Sequence, residues 1–144
     1  LYTLFSQASN FEVSRIYPGI PEYFDKKGRG MYHYLTGAAS WYMMTVINEM
    51  FGVKGRLGAL CLEPKLLKEQ FDDTGRAEVD LCFGGISWKI IYINKDKKDY
   101  GSYQVGEILL DGKKISRKEG IVVSGEEIAA MNAEKQHEII AELV

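Results

Sequence analysis

Residues 28–41 read GRGMYHYLTGAASW, and four of them have side chains or spacing suited to holding an anion. His33, Thr36, Gly37 and Ser40 are spaced i, i+3, i+4 and i+7, which places them on one face if the segment is helical. In the first two turns of a helix they would meet backbone N–H groups that have no intrahelical acceptor, at the positive end of the dipole. A glycine that lets the ligand approach the backbone, next to a hydroxyl donor, makes such a terminus an anion site. Arg29 lies just before it and can add charge-assisted hydrogen bonds. A structural reading stands beside this one. Thr36 and Ser40 can bond back to carbonyls of the preceding turn. The small run Gly37–Ser40 suits close packing of another helix, and His33 suits an ordinary buried imidazole. The glycine spacing of a P-loop is absent, so the residues by themselves leave both readings open.

Other chemistry is sparser. Glu22, Glu49 and Glu63 are isolated carboxylates without the local pairing expected of an acid/base couple. The sequence holds no G-x-S-x-G, no H-E-x-x-H and no dinucleotide fingerprint. Cys61 and Cys82 lack metal or redox spacing and read as a pair of buried reduced thiols, which suits a cytosolic protein. Trp88, Tyr92, Tyr100 and Tyr103 could line a sugar-stacking face, although alternation assigns Trp88 and Tyr92 to a core. The net charge of −2 comes with no basic stripe, which argues against nucleic acid and anionic membrane as partners.

The elements that must position these residues follow from periodicity. With 144 residues, 46% hydrophobic and 26% charged, the chain has the size and composition of one ordinary globular domain. Residues 1–27 read as irregular and extended around Pro18 and Pro21. A helix is predicted over 31–52, broken on one side by Gly28 and Gly30 and capped by Gly52. It is apolar nearly all round, hence buried, and polar interruptions argue against a membrane span. From residue 57 short strands are predicted, about six by alternation. Gly84-Gly85 and Asp111-Gly112 serve as tight hairpin turns. GEEIAAM reads as one or two helical turns, and HEIIAELV as a strand. A chain opening on Leu1, with a buried helix short of neighbours, reads as a piece of a longer protein.

The stretch RIYPGIPEYFDKKGRGMYHYLTGAASWYMMTVINEMFGVKG, followed by LCLEPKL, resembles the C-terminal end of family-94 inverting glycoside phosphorylases (glycosyltransferase family 36 in older naming). It is most similar to β-1,2-oligoglucan phosphorylases and to the phosphorylase-like domain of cyclic β-1,2-glucan synthases. The likeness is dense over 15–70 and looser through DYGSYQVGEILLDGKKI. It implies an α+β chain, with residues 1–52 ending an (α/α)6 barrel and residues 53–144 forming a small antiparallel, jelly-roll-like β-sandwich. It implies phosphorolysis of β-glucosidic bonds with inversion, giving α-glucose 1-phosphate, with inorganic phosphate as co-substrate and no cofactor or metal. By the resemblance Thr36 and Gly37 contact that phosphate, while Glu22, Arg29, Tyr32 and His33 are candidates to line the sugar site. The catalytic acid belongs upstream and no residue here matches it, so this chain alone is expected to be inactive. Implied partners are a β-glucan oligosaccharide, phosphate, the upstream part of the same protein and a second copy in a homodimer. The implied setting is a bacterial cytoplasm, or the inner membrane for a synthase parent. A non-catalytic carbohydrate-binding or structural module is the alternative.

Overall fold

The computed structural model describes residues 10–16, 21–32, 37–116 and 120–144. It is a mixed α+β chain, mostly strands in antiparallel sheets with few and short helices. The chain divides into two compact units, residues 1–45 and 46–144.

In the first unit, helix α1 (Phe11–Ser14) is capped by Asn10, whose side chain accepts the Glu12 N–H at 3.1 Å. Strands β1 (Tyr23–Phe24) and β2 (Gly30–Met31) form an antiparallel hairpin. Its loop is organised by Asp25, whose Oδ1 accepts the N–H groups of Lys27 at 2.7 Å and Arg29 at 3.0 Å. Gly30 has no room for a side chain. A Cβ there would lie 2.5 Å from Ile16 Cδ1 and 2.8 Å from Pro21 Cβ.

Helix α2 (Ala38–Met44) then begins, later than the predicted 31–52, and runs on as a π-helix over Thr45–Met50. The apolar run from Met31 is shared between two elements. Gly30 and Met31 pair with β1, and Tyr32 takes a left-handed φ of 55°. Thr45 marks the change of helix type and donates its hydroxyl to Trp41 O at 2.8 Å, a back-bond that opens the ladder. The predicted burial does not hold either: no residue of Ala38–Met50 is buried in this chain. Trp41 and Met43 are 69% and 62% exposed. At the end of the segment Ile47, Met50 and Phe51 pack on the core of the second unit.

In that unit, β3 (Val53–Arg56) and β4 (Ala59–Leu62) form a hairpin, and β9 (Ile121–Val123) lies on the other side of β4. A second sheet has the order β5-β6-β10-β7-β8, with β5 (Arg76–Phe83), β6 (Ile86–Ile93), β10 (Gln136–Leu143), β7 (Val105–Leu110) and β8 (Lys113–Ile115). Both predicted two-residue turns are present. Gly84-Gly85 joins β5 to β6 and Asp111-Gly112 joins β7 to β8, all four residues having positive φ. One pairing departs from the expected antiparallel pattern: β10 runs parallel to β6, with Ile139 opposite Ile90. The intervening 42 residues, 94–135, are long enough for the crossover that a parallel pair requires.

One apolar core draws on both sheets, with Leu60 and Leu62 from one and Trp88, Ile90, Tyr92, Ile108 and Ile139 from the other. Trp88 and Tyr92 are fully buried, as alternation predicts. Cys61 is buried, but Cys82 is exposed, against expectation. It has the opposite parity in β5 to Ala77, Val79, Leu81 and Phe83, and so faces away from the core. Helix α3 (Gly125–Ala129) opens with a reciprocal cap, Ser124 Oγ accepting the Glu127 N–H at 3.2 Å and Glu127 accepting the Ser124 N–H at 2.8 Å.

Candidate functional site

Two of the four residues expected to share a helix face are described, and of these Ser40 lies on α2. Gly37 takes the N-cap position with φ −71° and is exposed. Its carbonyl accepts the Trp41 N–H at 2.9 Å. The Trp41 indole lies close over it: a Cβ on Gly37 would be 3.2 Å from both Cδ1 and Nε1. His33 and Thr36 lie outside the described residues. Of the other candidates, Glu22, Arg29 and Tyr32 belong to the β1–β2 hairpin. Glu22 donates its N–H to Met31 O at 3.0 Å and to Tyr32 O at 3.2 Å, so the ends of the hairpin are held together. Tyr32 is 58% exposed and meets Tyr23 edge-on, with ring centroids 5.6 Å apart.

Within the second unit, the segment Leu62–Leu66 fastens the end of the helical stretch to the sheets. Lys65 donates its backbone N–H to Met50 O at 2.9 Å and its ammonium to Glu49 at 2.6 Å. That hydrogen bond is the main reason why the Glu49 pKa lies below the ordinary carboxylate value and the Lys65 pKa above that of an ordinary lysine. Lys54 adds ion pairs to Glu49 at 3.5 Å and Glu63 at 3.4 Å. The three carboxylates Glu22, Glu49 and Glu63 therefore do not form an acid/base couple: two are in ion pairs and the third is on the hairpin.

Two tyrosine hydroxyls complete the fastening. Tyr92 donates to Phe51 O at 2.6 Å. Tyr103 accepts the Leu66 N–H at 2.7 Å and donates to Leu66 O at 2.9 Å. Burial raises the Tyr103 pKa, against the lowering effect of the Leu66 hydrogen bond. Gly52 is needed here twice over. Its φ is +65°, and a Cβ would lie 2.0 Å from Glu63 O. The expected stacking face of Trp88, Tyr92, Tyr100 and Tyr103 does not assemble. Two of the four are in the core, Tyr103 is partly buried with its hydroxyl engaged, and only Tyr100 is exposed, at 54%.

The sequence reading missed a second polar cluster. His137 is almost buried, with Nδ1 2.7 Å from Asp111 Oδ2 and Nε2 3.2 Å from Asn132 O, beside the Trp88 ring. Asp111 also accepts the Glu138 N–H at 3.0 Å and the Lys135 ammonium at 3.2 Å. Partial burial pushes the Asp111 pKa up, but the Glu138 N–H, His137 and Lys135 outweigh it and hold it at about 2. Asp-Gly signals only the turn, because the partners are more than twenty residues away in sequence.

Neither a protein-family profile nor a curated protein matches the chain. Among the described residues, no group of three or more His, Cys, Asp and Glu side chains is placed to hold a metal ion. No helix among them is long and apolar enough to cross a membrane.

Proposed function

We infer that this chain is the C-terminal portion of an inverting β-glucan phosphorylase. Residues 1–52 complete an (α/α)6 barrel and residues 53–144 form its small jelly-roll-like β-sandwich. The observation that carries the reading is helix α2. Its composition is that of a buried helix, yet Trp41, Tyr42, Met43 and Met44 are each at least half exposed in this chain. Large apolar side chains clustered on one short helix call for cover, and the upstream barrel supplies it in this reading. The quoted LCLEPKL motif lends support, since its Pro64–Leu66 part ties to Met50, Glu49 and Tyr103.

In this function a phosphate oxygen attacks the anomeric carbon from the face opposite the leaving sugar. The glycosidic C–O bond breaks, and the leaving oxygen takes a proton from a carboxylic acid that the upstream part provides. Thr36 donates its hydroxyl and Gly37 its N–H to the phosphate, holding the dianion before the reaction begins. Among the described residues no acceptor competes for the Gly37 N–H. The intact protein acts as a soluble phosphorylase dimer, or trims chains as the phosphorylase-like domain of a glucan synthase. Upstream transmembrane segments and a glycosyltransferase domain would mark the synthase. The carbohydrate-module alternative loses its stacking face on the β unit, since Trp88 and Tyr92 are buried.

The test uses the intact parent protein, β-1,2-glucan and phosphate, with glucose 1-phosphate release as the readout. Thr36→Ala should raise the KM for phosphate by about tenfold or more, corresponding to about 1.4 kcal/mol. An unchanged phosphate dependence overturns the assignment.

A further inference from the structure

His137 has an acceptor at each ring nitrogen. Nδ1 lies 2.7 Å from Asp111 Oδ2, and Nε2 lies 3.2 Å from the carbonyl oxygen of Asn132. A carbonyl oxygen has no proton to give, so the second contact is a hydrogen bond only when Nε2 carries hydrogen. The same holds at Nδ1, because the Asp111 carboxylate is ionised at neutral pH. Partial burial raises its pKa, but the Glu138 N–H, His137 and Lys135 hold it at about 2. The two contacts together therefore require the doubly protonated imidazolium. Each neutral tautomer satisfies one of them and sets a lone pair against an oxygen at the other. The tautomers are not equivalent. Loss of the Nδ1 proton puts a lone pair 2.7 Å from a carboxylate, whereas loss of the Nε2 proton keeps the bond to the charged acceptor. Nε2 is thus the nitrogen that gives up its proton.

The bond made by that proton holds the loop between α3 and β10. Asn132 O also accepts the Lys135 N–H at 3.3 Å, and Asn132 Oδ1 accepts the Glu134 N–H at 3.0 Å, so residues 132–135 form a compact turn. Three elements meet the ring. The β7–β8 turn brings the Asp111 carboxylate, the α3–β10 loop brings Asn132 O and, through Asp111 Oδ2, the Lys135 ammonium, and β6 brings the uncharged Trp88 ring. On β10 itself the Glu138 side chain has the opposite parity to His137, and its N–H bonds to Asp111 Oδ1. His137 is 7% exposed, so water cannot replace the Asn132 bond while the loop stays in place. We propose that His137 is a proton-operated latch: protonated, it ties the Asn132–Lys135 turn to the β7–β8 turn, and on losing the Nε2 proton it keeps Asp111 and releases Asn132. The bonded form is the charged one, so the latch is closed on the acid side of the histidine titration and opens as pH rises through it. The Lys135–Asp111 ion pair does not depend on that proton, which keeps the opening local. Met131, next to the turn and packed on the core, is the apolar side chain that the opening uncovers.

Two measurements test this. Nitrogen-15 NMR of the imidazole rings reads the protons directly. The chain has two histidines, so His33→Gln isolates the signal of His137. Both ring nitrogens should be protonated at about pH 5.5, and Nδ1 alone at about pH 9. Hydrogen exchange by mass spectrometry, corrected for its intrinsic pH dependence, reads the loop in the 144-residue chain and in the intact parent alike. Protection of the peptide covering residues 132–136, taken relative to that of β5 and β6, should fall about tenfold or more over the same range. In His137→Gln, which has no proton to lose, that ratio should be flat. A constant ratio in wild type overturns the latch. So does an equal fall in His137→Gln, a ring that is singly protonated at about pH 5.5, or a neutral ring protonated at Nε2. The wild-type measurements decide the question even where His137→Gln does not fold.

Discussion

Asp111→Asn tests how much the buried polar cluster contributes to the second unit. The carboxylate sits at a left-handed turn position, φ 48°, which asparagine also adopts readily, so the turn itself is not at stake. What the substitution removes is a charge bonded to the Glu138 N–H, His137 and Lys135. The folded-state pKa is lowered from 3.8 to about 2. A shift of almost two units, at about 1.4 kcal/mol each, sets an upper figure of about 2.5 kcal/mol. The Asp111 side chain is 27% exposed and that of Lys135 57%, so solvent screens part of this. The expected loss is about 1–2 kcal/mol near neutral pH. Because the folded pKa lies below the unfolded one, the stabilisation is complete above about pH 4 and disappears as pH falls through about 2. The assay is urea unfolding at several pH values, followed by the fluorescence of Trp88, which is buried 5.8 Å from the His137 ring. The gap between wild type and Asp111→Asn should be open at about pH 6 and nearly closed at about pH 2. A gap of constant size across that range would show that the carboxylate charge is not what stabilises the fold there.

Tyr103→Phe leaves the Leu66 N–H without its acceptor and should cost about 1–3 kcal/mol, with faster hydrogen exchange at Leu66 as the local signature. Gly52→Ala should destabilise far more than Gly85→Ala in thermal unfolding. Both have positive φ, but a Cβ at Gly52 lies 2.0 Å from Glu63 O, while at Gly85 nothing lies within 4 Å. A thiol-reactive chromophore should label Cys82 quickly and Cys61 only on unfolding. Rapid labelling of both would contradict the placement of Cys61 in β4.

The β unit was legible where its signals were local. Alternation from Ala77 to Phe83 and from Ile86 to Tyr92, with Gly-Gly between, determines β5, β6 and their turn, and Asp111-Gly112 does the same for β7 and β8. Strands β3 and β9 carry no such signal: VKGR is mostly polar or small, and IVV is an apolar run without alternation. The turn after β3 places Leu57, a residue with no turn signature, at φ 51°. The parallel pairing of β10 with β6 depends on which strands meet after a long crossover, and no local pattern encodes that. The parity of Cys82 was readable, and its exposure follows from the same alternation that buries its neighbours. The helix was read too long because Met31 and Tyr32 continue the apolar pattern. Backbone pairing with Tyr23 and the left-handed turn at Tyr32 take them out of it. Of the candidate site residues, Gly37, Arg29, Tyr32 and Glu22 are described, and the contact of Tyr32 with Tyr23 follows from a hairpin that no local pattern signals.

The central position of β10 has a consequence for synthesis. During translation β5 and β6 can pair as soon as their hairpin has emerged, and β7 with β8 likewise. The two hairpins have no shared neighbour until Gln136–Leu143 arrives and inserts between β6 and β7. Until then each hairpin presents an open strand edge, and edges of that kind recruit foreign strands. Ribosome-bound chains stalled before residue 136 should therefore engage holding chaperones, and release should coincide with the emergence of those eight residues.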